Sequence, residues 1–74
     1  MSRVEIESEV TGIVWKIVMK IGDRVVAEDV LMILESMKME IPVESTCSGT
    51  LTEILVKEED SVNEDQVVAI IESD

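Results

Sequence analysis

The feature that most constrains this chain is an internal duplication. When the 74-residue sequence is shifted by 37 positions, Val4–Ser36 aligns with Ile41–Ser73 without a gap, and eleven of the 33 aligned pairs are identical. The identical pairs are Glu7/Glu44, Ser8/Ser45, Gly12/Gly49, Ile17/Ile54, Lys20/Lys57, Asp23/Asp60, Val25/Val62, Val30/Val67, Ile33/Ile70, Glu35/Glu72 and Ser36/Ser73. A gap-free repeat of this length predicts two equivalent halves that pack about a pseudo-two-fold axis and share a core.

Each half contains regularly spaced turn signals between short apolar segments. The first half has Thr11-Gly12, Gly22-Asp23 and Glu28-Asp29, and the second has Ser48-Gly49, Glu59-Asp60 and Glu64-Asp65. Val, Ile and Thr supply 25 of the 74 residues, and their branched side chains favour strands over helices. The predicted strands are residues 4–8, 12–19, 24–26, 30–36, 40–45, 49–56, 61–63 and 67–73.

Eight short strands in two equivalent halves predict an all-β fold, a flattened eight-stranded barrel or sandwich. A chain of this length has too little apolar surface for a second core, so residues 1–74 are predicted to form a single domain. Adjacent apolar pairs at Ile13-Val14 and Ile17-Val18 interrupt the alternation, which indicates a β-bulge. Glu59 stands where the first half has Gly22, so we expect the shape of that turn to differ between the halves.

Charge and composition exclude several classes of function. A formal net charge of -11 repels nucleic acid and anionic lipid, and there is neither a signal peptide nor an apolar membrane span, so a cytoplasmic location is expected. The absence of His removes the usual proton shuttle at neutral pH. Cys47 is the only cysteine, so neither a disulfide nor a zinc site is expected. No catalytic or metal-binding residues are predicted.

The junction between the two halves is the most unusual segment. The fourth strand runs into the fifth through Met37-Lys38-Met39, which predicts a tight hairpin with Lys38 at its tip. Gly, Asn or Asp normally occupies such a turn, so the two methionines either pack onto the end of the barrel or are contacted by a partner. The pseudo-symmetry predicts that the first strand pairs with the eighth. That pairing would place both termini at the end opposite Lys38.

These segments together resemble the biotinyl and lipoyl attachment domain family. The resemblance covers the Gly12 segment, Gly22-Asp23, the Glu35–Met39 hairpin and the Ser48-Gly49 half, and Met-Lys-Met is its specific signature. The family resemblance implies that biotin is attached covalently to Lys38 through an amide. It also implies that Met37 and Met39 are recognised by the ligase, and that Glu35, Pro42 and the Gly22 turn belong to the supporting framework.

The same resemblance implies a role as a biotin carboxyl carrier that is not itself an enzyme. A biotin protein ligase would attach the cofactor, and the domain would then carry an activated carboxyl group between a biotin carboxylase and a carboxyltransferase. We expect a monomer in isolation. The acceptor substrate of the carboxyltransferase is left open by the sequence.

Three alternatives remain at this stage. The nearest is a lipoyl, or dual biotin and lipoyl, attachment protein that carries acyl groups on the same fold. Lipoyl domains usually have an acidic residue before the lysine and a small one after it, whereas both neighbours of Lys38 are Met. The second is an unmodified interaction domain in which Lys38 is a surface charge. The third is a small enzyme, which is disfavoured because there is no nucleophile beside a base and no phosphate-binding loop.

Overall fold

The computed structural model describes residues 2–74, which form two four-stranded antiparallel sheets and confirm the predicted all-β fold. The strands are β1 (Arg3–Glu7), β2 (Gly12–Ile17), β3 (Arg24–Val25), β4 (Val30–Ser36), β5 (Met39–Glu44), β6 (Gly49–Ile54), β7 (Ser61–Val62) and β8 (Val67–Ser73). Sheet 1 has the strand order β1-β8-β6-β3, and sheet 2 has the order β5-β4-β2-β7. Between residues 2 and 74 there is no helix long and apolar enough to cross a membrane.

The repeat in the sequence is a repeat in the structure. Strands β2, β3 and β4 become β6, β7 and β8 when 37 is added to their bounds, and the same operation exchanges the two sheets. Buried Ser8 donates its hydroxyl to the Val10 carbonyl at 2.5 Å, and buried Ser45 repeats this bond with Cys47 at 2.6 Å. The sequence prediction of two pseudo-two-fold-related halves is therefore confirmed.

The core lies between the two sheets and is aliphatic. Its members come from both halves, so neither half could bury its apolar face alone. The buried cluster consists of Ile6, Val14, Val25, Leu31, Met32, Leu34, Val43, Leu51, Val56, Val62, Val68, Ala69 and Ile71. Partly buried side chains, including that of Cys47, pack against it. Cys47 is a free thiol.

The second strand is shorter than predicted and contains the expected bulge. Its pairing with β4 shifts register between Val14 and Lys16, so Trp15 is the extra residue. The bulge therefore lies one position beyond Ile13-Val14, the first of the two apolar pairs that indicated it. An equivalent shift lies between Leu51 and Glu53. The strand ends at Ile17 because the next two backbone N–H groups both donate to the Leu31 carbonyl, at 3.0 and 3.2 Å, and so leave the ladder.

The prediction that the Gly22 and Glu59 turns differ in shape is wrong. Both residues have positive φ, 97° for Gly22 and 77° for Glu59, and each donates its N–H across the molecule at 2.7 Å, Gly22 to the Leu51 carbonyl and Glu59 to that of Val14. In each turn an aspartate carboxylate accepts the N–H of the residue three positions earlier, at 2.9 Å. This network imposes the same backbone on both turns, so Glu59 adopts a conformation that glycine takes more readily.

Candidate functional site

The candidate site is the turn between β4 and β5. Met37 and Lys38 are its two central residues, and both have positive φ, 52° and 66°, as a two-residue type I′ hairpin requires. Residues with a Cβ are disfavoured in this region, by roughly 1–2 kcal/mol each. The turn is therefore held in place by the pairing of the strands on either side rather than by its own preference. Its exposed side chains project from the end of sheet 2.

The base of the hairpin is fixed by several contacts. Ser36 pairs with Met39, and the Ser36 hydroxyl donates to the carbonyl of Thr11 at 3.0 Å. Gly12 lies beside the same strand, where a Cβ would come within 2.7 Å of the Glu35 carbonyl oxygen. Glycine at this position allows β2 to approach β4 closely, so the loop before β2 supports the hairpin from one side.

Both methionines are exposed rather than packed onto the barrel. Met37 is 92% exposed and Met39 is 63% exposed. The sequence left open whether the methionines pack onto the barrel or are contacted by a partner. Their exposure favours a partner, because an apolar side chain that stays in water does not stabilise the fold. Lys38 is also exposed, so the structure brings these three predicted site residues together on one accessible tip.

The predicted position of the termini relative to Lys38 is confirmed by the register. β1 pairs with β8, and Ser73 donates its N–H to the Ser2 carbonyl, so the two ends of the described chain are neighbours. From there β1 runs away to Glu7, and a short loop then reaches Gly12, which contacts the base of the hairpin. The length of β1 therefore separates the termini from Lys38.

Two glutamates face each other just below the tip. Glu35 and Glu40 are exposed and directly opposed on β4 and β5, and a like-charge pair in this position is unfavourable. The equivalent pair in sheet 1 is Glu72 opposite Arg3, which is attractive. Sheet 2 thus carries an acidic pair at the hairpin, where sheet 1 carries opposite charges. The two glutamates therefore place negative charge close in sequence to the exposed Lys38.

The other residues singled out from the sequence are more widely placed. Pro42 lies on β5 opposite Ile33, whereas the Gly22 turn bonds to Leu51 on sheet 1, so that turn supports the barrel rather than the hairpin. The sequence reading did not identify the Ser36–Thr11 bond or the exposed side chain of Trp15. Comparison of the two halves position by position could have identified Trp15, because Thr52 is its equivalent. Across the described residues, His, Cys, Asp and Glu side chains do not form a group of three that could hold a metal.

The structure thus combines a flattened barrel of two repeated halves with an exposed lysine on the central hairpin. The chain belongs to the family described as "Biotin-requiring enzyme", whose profile matches residues 4–71. This match confirms the resemblance found in the sequence.

Individual relatives agree with this assignment. The biotinylated protein TB7.3 homolog of Mycobacterium leprae is 46% identical over 39 residues, which are 53% of this chain and 55% of that protein, so the match spans about half of each. The crystal structure of the Kluyveromyces lactis urea carboxylase superposes with a TM-score of 0.91 and 41% identity, covering 96% of this chain and 6% of that one.

A second solved structure supports the fold alone. It is a single-chain, multi-domain long-chain acyl-CoA carboxylase, with a TM-score of 0.90, 18% identity, and coverage of 97% of this chain and 7% of that one. In both structures the matching region is a small part of a much longer chain.

Proposed function

We propose that this chain is a biotin carboxyl carrier with its cofactor attached to Lys38. The observation that carries the proposal is the exposed Met37-Lys38-Met39 tip, in which Met37 and Lys38 have positive φ, at the end of sheet 2 away from the termini. Membership of a biotin-requiring family and similarity to a biotinylated protein support biotin as the cargo. An exposed primary amine on a supported turn suits amide formation, because a ligase can reach it without unfolding the domain.

The residues of this chain contribute presentation and support. The six paired positions of β4 and β5 and the Ser36–Thr11 bond hold the tip at one end of the barrel, so the attached group is carried on a fixed base. When attached, biotin supplies a ureido nitrogen that accepts a carboxyl group and releases it to an acceptor. Tethering replaces a dilute cofactor by one at an effective concentration in roughly the mM range at each active site.

We propose that the chain catalyses neither transfer step and that a biotin protein ligase, a biotin carboxylase and a carboxyltransferase act on it. Two large carboxylases contain this fold as a small part, which supports partners of this kind. The sequence has no His, which supports a carrier role. The net charge of -11 supports a monomer, since identical chains repel one another, and a cytoplasmic location remains part of the proposal.

The test is biotinylation of purified protein by a biotin ligase with ATP and biotin, detected by streptavidin blot. Wild type should be labelled to completion, and Lys38→Arg, which keeps the charge, should remain unlabelled. An unlabelled wild type at high ligase concentration would eliminate the carrier function. Label on Lys38→Arg would place the cofactor elsewhere. Lipoylation by a lipoate ligase, run in parallel, tests the alternative cargo.

A further inference from the structure

The outer face of sheet 2 carries a cluster of apolar side chains among charged ones. In its register Ile13 lies opposite Glu35, and Lys16 opposite Ile33, which is opposite Pro42. The rows between them point inward, because Val14, Leu34 and Met32 are fully buried. Trp15, at the bulge, is 50% exposed, and Ile13 is 49% exposed. We call the exposed Ile13, Trp15 and Pro42, together with the half-buried Ile33, the apolar face.

The equivalent surface of sheet 1 is polar and covered. Thr50 and Thr52 occupy the positions of Ile13 and Trp15. Ile70, the equivalent of Ile33, is only 2% exposed, and an ion pair between Arg3 and Glu53, at 3.4 Å, joins the strands on either side of it.

In sheet 2 the equivalents of Arg3 and Glu53 are Glu40 and Lys16, which do not form an ion pair. Within residues 2–74 the ion pairs are Arg3–Glu53 and Arg24–Asp74. The duplication therefore provides an internal comparison. Of two surfaces built on the same backbone, only the one that carries the hairpin leaves its aliphatic and aromatic side chains open to solvent.

The apolar face begins close to Lys38. Ile13 pairs with Glu35, which precedes Ser36 at the base of the hairpin, and Ile33 lies only two residues farther along β4. At about 3.4 Å per residue this places the face within roughly 15 Å of the turn. A standard protein interface buries about 800 Å² on each partner. An interface of that size, positioned on the hairpin, extends over the apolar face.

We propose that the apolar face docks the biotin protein ligase, a step that rests on the proposed function. A ligase must bring its active site to the Lys38 amine itself, so its footprint has to include the hairpin and its surroundings. A carboxylase meets the cofactor at the end of an arm, and its footprint is not tied to the hairpin in this way. The ligase surface that fits has an apolar pocket for Trp15 and basic groups around it, opposite Glu35 and Glu40.

Charge disfavours a second copy of this chain as the occupant. Two chains of net charge -11 repel each other, and the glutamates beside the apolar face would oppose each other across such a dimer. A basic partner instead gains from the same charges, mainly in its association rate. The association of carrier and ligase should therefore slow as the ionic strength rises, because salt screens the attraction between them.

The experiment replaces two residues of the apolar face with their equivalents from the outer face of sheet 1. In Ile13→Thr/Trp15→Thr both residues become those that the other half carries on the same backbone, including the bulge, so the fold should be retained. The matched control is Val26→Asn, which removes a 52% exposed aliphatic side chain near the termini and likewise copies the other half, where Asn63 is the equivalent. Initial rates of biotinylation are measured against carrier concentration.

We expect the double variant to raise KM about tenfold with little change in kcat, as loss of an aromatic anchor from a docking surface does. The control should match wild type. Equal KM values for wild type and double variant would overturn the docking proposal while leaving the attachment site intact. An unlabelled wild type would instead count against the proposed function.

A second measurement needs no substitution in the apolar face. Trp15 is the only aromatic residue, so fluorotryptophan labelling gives a single ¹⁹F resonance from this face. With Lys38→Arg protein, which forms no product, saturating ligase should shift or broaden that resonance. A resonance unchanged at saturation would contradict docking at Trp15, whatever the variants show.

Discussion

Replacing Met37 with Asn should stabilise the domain and weaken its recognition. Met37 has φ 52° and is 92% exposed, so the substitution loses almost no buried apolar surface. Asn tolerates the left-handed region, which costs other residues roughly 1–2 kcal/mol. We therefore expect the free energy of unfolding to rise by about 1 kcal/mol, which for a domain of this size raises Tm by about 4–8 °C.

The assay is thermal and urea unfolding, combined with biotinylation kinetics. Glu59→Asn is the matched control, because Glu59 has φ 77° in a turn outside the hairpin. Both variants should gain similar stability, whereas only Met37→Asn should be biotinylated more slowly. A loss of stability in Met37→Asn would refute the reasoning, since it would mean that the Met37 side chain makes contacts worth more than the backbone strain. Equal biotinylation rates would remove Met37 from recognition.

Three further predictions concern the stability of the domain. Gly49→Ala should lower the free energy of unfolding by about 2 kcal/mol or more in urea titrations, because its Cβ would overlap the Glu72 carbonyl oxygen; stability equal to wild type would contradict the close strand approach. Glu40→Gln should raise the free energy of unfolding by about 0.5 kcal/mol by removing the like-charge pair with Glu35, and the gain should shrink in high salt. The hydrogen bond from Arg24 holds the pKa of the Asp74 side chain below its ordinary value, so the stability from this pair is present above the usual aspartate pKa and lost as pH falls through the lowered one; a carboxyl pKa from NMR that is unchanged in Arg24→Gln would contradict it.

The repeat made most of the fold predictable. Because every strand has an equivalent 37 residues away, one set of turn signals supported the other, and the pairing of β1 with β8 followed from the symmetry. The turn at Glu59 was misjudged because residue identity alone does not reveal the hydrogen bonds that impose its backbone. Comparing Gly22 with Glu59 showed which residue such a turn prefers, but not that hydrogen bonds to the rest of the molecule impose the same backbone on both turns.

The site itself was located by sequence, but its surroundings were not. Lys38 and its two methionines stand out as apolar residues in a hairpin turn, which the sequence shows directly. The apolar face did not stand out, because the bulge at Trp15 breaks the alternation that would assign residues to one side of the sheet. Ile70 is covered where an ion pair joins the strands on either side of it, whereas Ile33 is only half-buried, and the sequence shows neither the ion pair nor the difference in burial.

Mass spectrometry of the protein isolated from its native cells tests the attachment of biotin to Lys38 most directly. We expect one biotinyl group, on the peptide that contains Lys38, with the other lysines unmodified. A lipoyl group on Lys38 in place of biotin, or a Lys38 that carries no cofactor while the cell's biotin ligase is active, would contradict it.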